Sequence, residues 1–239
     1  MNGLSALTIQ ELEHSYQNKV VLNRISCTIN SGEYVGLVGI NGAGKSTLIK
    51  SVLDFVAIKQ GSIEIYGKSH RMPTAREKLS FLPEQFKPPY YLKGKDFLQY
   101  MAELHTVPIT RQDMEAMLTL LDLELSALDK PVRQYSKGMA QKLGLAACFL
   151  SKRPLLLLDE PMSGLDPKAR SYLKKYLLSL RQDDQTLFFS THLLSDIEDL
   201  CDRLIILHQG EIRFDGSPAD CCDYYQQPTL EAAYMQCIE

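Results

Sequence analysis

The sequence has no C-x-x-C pair, no basic block, no internal repeat, no low-complexity tract and no apolar run approaching the length of a membrane span. Each absence removes a class of protein. Six cysteines (Cys27, Cys148, Cys201, Cys221, Cys222 and Cys237) among 239 residues are too sparse for a disulfide scaffold and read as small buried hydrophobes plus a few exposed thiols. The adjacent Cys221 and Cys222 have no histidine or third cysteine nearby to complete a metal site. The 26 basic and 29 acidic residues are mixed along the chain, for a net charge of −3, and leave no electrostatic footprint for DNA or RNA. No nucleic-acid partner is expected. The N-terminal MNGLSALTIQ lacks a basic segment followed by an apolar run, and nothing later reaches the roughly 18 apolar residues of a spanning helix. The chain is therefore expected to stay cytosolic and not to cross a membrane itself.

What is present is an ordinary globular composition, 45% hydrophobic and 23% charged, in a length suited to one large domain with an insertion. Residues Leu7 to Ile29 alternate polar and apolar around Gln17-Asn18-Lys19, which predicts an antiparallel hairpin with one exposed face. Short strands are predicted at Tyr34–Val38, Ser62–Tyr66 and Leu79–Leu82, and a helix carrying Leu48, Val52, Phe55 and Val56. From Leu92 to Leu150 the periodicity is helical, interrupted by Pro108 and Pro131. Strands and helices then alternate again, with strands at Leu155–Leu158, Thr186–Ser190 and Arg203–Leu207, and helices at Pro167–Leu180 and Leu193–Leu200. That alternation argues for an α/β fold with a mainly parallel core sheet.

The stretch GINGAGKST, Gly39-Ile40-Asn41-Gly42-Ala43-Gly44-Lys45-Ser46-Thr47, fills G-x-x-x-x-G-K-S between a predicted strand and a predicted helix. This is the context a phosphate-binding P-loop requires. Its backbone N–H groups can close around phosphate oxygens, Lys45 places a cation against the β and γ phosphates, and the Ser46 hydroxyl reaches Mg²⁺. LLLLDE, Leu155 to Glu160, sets two carboxylates at the end of a buried strand, Asp159 for magnesium and Glu160 to deprotonate an attacking water. A guanine-reading N-K-x-D is missing, since Asn18-Lys19 is followed by Val20 and Val21. A small-molecule kinase would rarely need a base beside the magnesium acid. YSKGMAQK, Tyr135 to Lys142, supplies a second anion-binding helix mouth, with Ser136 as N-cap ahead of an apolar stripe of Leu143, Ala146, Ala147 and Leu150.

Taken together, GINGAGKST, YSKGMAQK, LLLLDEPMSGLD and His192 in STHLL, standing in this order, resemble the ATP-binding cassette family, as the nucleotide-binding subunit of an ABC transporter. The resemblance covers nearly the whole chain and implies a single cassette domain over 1–239. In it, an N-terminal antiparallel β subdomain and a helical subdomain inserted at about 86–150 join the P-loop core. It also implies ATP and Mg²⁺ as ligands, and a head-to-tail pair with a second copy or a similar cassette. Each ATP would lie between the P-loop of one copy and the signature helix of the other, which accounts for two anion sites in one chain. On this resemblance Ser136 and Gly138 contact the partner's γ-phosphate, His192 is the switch residue on that phosphate, and Tyr16 stacks on adenine. Asp166 resembles the aspartate that crosses the dimer interface, and its place before Pro167 also suits a helix N-cap.

Two departures stand out. Lys137 and Met139 occupy signature positions where the common L-S-G-G-Q form has glycine and glutamine, and Glu84 stands after Pro83 where a Q-loop glutamine is usual, counted here with Ser46 and Asp159 as a magnesium ligand. Both variants, with the closing T-L-E-A-A-Y and the lack of an extra regulatory domain, resemble the exporter branch. An integral membrane subunit would then hold the chain on the inner face of the cell membrane. The competing class is a cassette ATPase that acts without a membrane partner; such proteins resembling this family usually carry two cassettes in tandem or a long coiled-coil insertion, and neither is here. A non-enzymatic nucleotide sensor is disfavoured by Glu160. Finally, Phe86, Tyr90 and Tyr91 put aromatic surface in the proline-restricted stretch Leu82 to Tyr91, where the family's groove for the membrane subunit is expected.

Overall fold

The computed structural model describes residues 4–17 and 19–239, so the predicted turn at Asn18 lies outside the described residues. The N-terminal alternation forms β1 (Ser5–Tyr16) and β2 (Lys19–Asn30), paired antiparallel. After β3 (Tyr34–Val38) and α1 (Lys45–Val52), the chain returns to that sheet as β4 (Gln60–Ile65) and β5 (Lys68–Ser69), giving an antiparallel order β2-β1-β4-β5. The short α2 (Pro73–Arg76) leads to β6 (Leu79–Leu82). The helical stretch follows as α3 (Gly94–Leu104), α4 (Arg111–Leu120) and α5 (Lys137–Leu150). The remainder is β7 (Leu155–Asp159), α6 (Pro167–Ser179), β8 (Thr186–Thr191), α7 (Leu194–Leu200), β9 (Arg203–His208), β10 (Glu211–Gly216), α8 (Pro218–Tyr225) and α9 (Leu230–Ile238).

The second sheet has the order β10-β9-β3-β8-β7-β6, parallel throughout except for β10 on β9. The run of four leucines in β7 shows why it had to be apolar on every position. Leu155 and Leu157 pack with Leu7, Ile9 and Leu48 in the core shared with the antiparallel sheet and α1, whereas Leu156 and Leu158 pack with Leu143, Leu173 and Ile197 in the core under the helices. A strand buried on both faces has no polar side to offer. Because β3, β8, β7 and β6 are neighbours and parallel, their carboxyl ends lie along one edge of the sheet, where an open α/β sheet binds its ligands.

Three expectations need correction. The helix after the P-loop stops at Val52, not at Val56: Asp54 takes φ 60°, breaking the helical path, and Phe55 is exposed. Its spacing from Leu48 and Val52 was helical by coincidence. The stripe on α5 is not a stripe, since every residue from Gln141 to Leu150 is buried; a helix enclosed on all sides loses its polar face. None of the six cysteines is exposed: Cys27, Cys148 and Cys221 are buried and Cys201, Cys222 and Cys237 half-buried, all as free thiols. No described helix is long and apolar enough to cross a membrane.

Candidate phosphate-binding site at the sheet edge

A cavity of about 600 Å³ opens at this edge. Its floor is the turn between β3 and α1, with Asn41, Gly42, Gly44, Lys45, Ser46 and Thr47 lining it beside Val21 and Ile40. Gly44 is the residue ahead of α1, so the first N–H groups of that helix, and the positive end of its dipole, face the cavity. The loop can sit this low only because Gly39 has no side chain: a Cβ there would meet the Leu207 carbonyl oxygen at 2.4 Å. Lys45 is buried, and its Nζ donates to the carbonyls of Gly39 at 2.5 Å and Ile40 at 3.4 Å. Burial pushes this ammonium below its ordinary pKa, while Glu160, Asp159 and Glu84 pull in the opposite direction.

The same cavity is lined by those three carboxylates, from two strand ends: Asp159, the last residue of β7, with Glu160 next to it, and Glu84 shortly after β6. Ser190 on β8 ties the first two together. Its hydroxyl donates to Asp159 Oδ1 at 2.5 Å and accepts from the Glu160 N–H at 3.0 Å, and the Ser190 carbonyl also accepts from that N–H at 3.2 Å. Glu160 holds φ 50°, so the chain turns sharply just after the buried Asp159 and carries the Glu160 carboxylate into the cavity. There Oε2 lies 2.8 Å from His192 Nδ1. His192 follows β8 and is well exposed, while the Glu160 side chain is mostly buried. The cavity therefore combines backbone donors and one lysine with three carboxylates and a histidine.

Whether this set suits magnesium follows from its chemistry. The Ser46 hydroxyl, Asp159 and Glu84 are all hard oxygen donors on the cavity wall. Among the described residues no group of three His, Cys, Asp or Glu converges tightly enough to cage a metal. Mg²⁺ takes one or two protein carboxylates and completes its shell with phosphate oxygens and water, and a hydroxyl with two carboxylates in one cavity would suit it.

Other predicted residues lie elsewhere. Ser136 caps α5, accepting from the Met139 N–H at 3.2 Å, and Gly138 sits where a Cβ would meet the Gly164 carbonyl oxygen at 2.9 Å. Neither lines the cavity. Asp166 is the N-cap of α6, accepting from the Ala169 N–H at 2.9 Å. Tyr16 ends β1, half-exposed, edge-on to His14 with ring centroids 4.6 Å apart, and is also not a lining residue. Phe86 is half-buried and packs against Phe97 at the core under the helices, whereas Tyr90 and Tyr91 are 69% and 71% exposed. Sequence reasoning missed Ser190, Val21, Ile40 and Ser163. Only Ser190, two residues before the singled-out His192 on a predicted strand, carried a signal.

The sequence matches the family described as ABC transporter over residues 22–163. It is 39% identical over 207 residues to an uncharacterized ABC transporter ATP-binding protein of Nostoc, covering 84% of this chain but only 61% of that protein's length. It is 34% identical to the lantibiotic transport ATP-binding protein SrtF of Streptococcus pyogenes, covering 88% of this chain and 92% of that one. A solved structure described as the ATP binding subunit of an ABC transporter superposes with a TM-score of 0.91 at 28% identity, over 97% of this chain and 99% of that one. With a P-loop, the buried Asp159 beside Glu160, and His192 gathered at one sheet edge, the chain belongs to the ABC transporter family, as an ATP-binding protein with the fold of an ABC ATPase.

Proposed function

We propose that this chain hydrolyses ATP at a site shared between two cassettes and so drives transport through a separate membrane subunit. The observation that carries the reading is the 2.8 Å contact of His192 with Glu160 in the same cavity as the P-loop. The backbone N–H groups of residues 41–47 and the Lys45 ammonium hold the phosphates. Ser46, Asp159 and Glu84 would hold Mg²⁺, which when bound neutralises phosphate charge and fixes the leaving group. Glu160 takes the proton of the attacking water. His192, with Nδ1 turned to Glu160, has Nε2 left to face the γ-phosphate, so one residue orients both base and phosphate. Tyr16 stacks on the adenine.

Ser136 and Gly138 stand outside the cavity of their own chain, which supports a role on the γ-phosphate of a second copy, or of a similar cassette, packed head to tail. Asp166 would reach across the same interface while capping α6. One cassette domain spans 1–239, with residues of about 86–150 as a helical subdomain. Lys137, Met139 and Glu84 at their motif positions favour export. The chain would lie on the cytoplasmic face of the membrane, held by an integral membrane subunit. The runner-up, a cassette ATPase free of the membrane, is separated by co-purification from detergent-solubilised membranes.

The purified chain should release inorganic phosphate from MgATP, and absence of release at all protein concentrations would contradict the hydrolytic reading. The exposed Tyr90 and Tyr91 rings, 5.6 Å apart, offer an aromatic anchor for the membrane subunit. Tyr90→Ala with Tyr91→Ala should leave the ATPase of the isolated chain nearly unchanged and reduce its recovery with membranes. A double variant that loses fold stability, or that still co-purifies fully, would remove these residues from the docking surface.

A further inference from the structure

His14 has no part in the cavity described above, yet it is held in an unusual way. It is 6% exposed near the end of β1, where the pairing with β2 shifts register on both sides of it, between Leu12 and His14 and again between His14 and Ser15. Such irregularities re-aim a side chain away from the regular pleat. Its Nδ1 lies 2.8 Å from the Ala57 carbonyl oxygen, and among the described residues no group answers its buried Nε2. The ring stands edge-on to Tyr16, with centroids 4.6 Å apart and planes at 82°, a geometry aromatic pairs favour. A backbone–backbone bond, from the Lys59 N–H to the Glu13 carbonyl at 2.8 Å, fixes the same two segments beside it.

Ala57 lies a few residues beyond α1, the helix that begins at Lys45 and carries the P-loop at its N-terminus. The imidazole thus ties the segment that follows the phosphate-holding helix to the ring assigned to adenine. A plain packing residue at this point would be apolar; a ring with one nitrogen bonded and one stranded is kept at a desolvation cost. We propose that His14 is a positioning residue for nucleotide binding, holding the Tyr16 ring at a fixed place relative to the P-loop so that base and phosphates are gripped together. This rests on the reading of Tyr16 as the adenine-stacking residue.

The test uses the full chain and three probes: MgATP, MgGTP and inorganic tripolyphosphate, which has no base. Tyr16→Ala should weaken ATP about tenfold, the scale of one lost base–aromatic stack. His14→Ala should raise KM for MgATP and MgGTP alike, about fivefold, with kcat nearly unchanged, and leave tripolyphosphate binding as in the wild type. The double variant should be no weaker than Tyr16→Ala alone, since two residues acting through one contact are not additive. His14→Asn, which can still donate to the Ala57 carbonyl, secures the fold and removes only the ring; it should also weaken ATP selectively. Equal losses for ATP and tripolyphosphate, additive effects, or wild-type affinity in His14→Asn would overturn the proposal. Unchanged ATP affinity in Tyr16→Ala would instead remove the base-stacking reading, and the role of His14 with it.

Discussion

Replacing Glu160 by glutamine is expected to reduce ATP turnover by at least about 100-fold while leaving ATP binding intact, because a general base contributes on the order of 10²–10⁴ in rate. The amide keeps the shape of the carboxylate and can still meet His192 Nδ1, which stands 2.8 Å from Glu160 Oε2, but it cannot take a proton. The backbone is unaffected, since the Glu160 N–H is held by Ser190 through both its hydroxyl and its carbonyl oxygen. Phosphate release and fluorescent-nucleotide binding measured on the same preparation separate the two effects. A variant with wild-type turnover would show that the proton goes elsewhere, and one that lost ATP binding as well would show that Glu160 is needed to build the cavity.

The second large effect concerns two residues that never meet in one chain. Lys45→Ala removes the one lysine that lines the cavity among the described residues and should weaken ATP on the order of a hundredfold or more, the usual scale for truncating a buried charge-pair partner. Gly138→Asp leaves that cavity whole but sets a carboxylate at the mouth of α5, and should abolish turnover while ATP still binds the P-loop. Its Cβ must push against the Gly164 carbonyl oxygen, so thermal unfolding is measured alongside. In an equal mixture, a mixed pair has one composite site with both lesions and one with neither. Random pairing of independent sites then restores about a quarter of the wild-type rate. Activity no greater than that of either variant alone means that both sites must be intact or that the head-to-tail arrangement is absent, and a covalently linked pair distinguishes the two.

The parts of this fold legible in the sequence are those where one physical demand acts alone. A strand with no polar face has to read as LLLL, and a loop that wraps phosphate has to spend glycines, as Gly39 does against the Leu207 carbonyl. The motifs name Lys45, Ser46, Asp159, Glu160 and Glu84, and all five line one cavity. Where two demands overlap, the pattern misleads. Phe55 fell on the helical period of α1, but Asp54 had already turned the chain out of it. On α5, full enclosure erased the amphipathic signal that normally dates a helix's buried side.

The C-terminal region is poorly legible for a different reason. β10 is an edge strand with no fully buried position, so it shows little hydrophobic contrast. The start of α8 did carry a signal, Ser217-Pro218-Ala219-Asp220, which forms a capping box with proline in the first turn. Ser190 was hidden because its role depends on which strand lies beside β7, and strand order is a long-range property that local pattern does not encode.

On the proposed function, ATP is held between two copies, the P-loop of one and the helix mouth at Ser136 and Gly138 of the other. Light scattering on Glu160→Gln tests it most directly. With MgATP the protein should run at the mass of two chains, with MgADP or no nucleotide at the mass of one, and adding Gly138→Asp to the same chain should return it to one despite bound ATP. A Glu160→Gln protein that binds MgATP yet stays at the mass of a single chain, at concentrations well above its nucleotide affinity, would contradict the shared site.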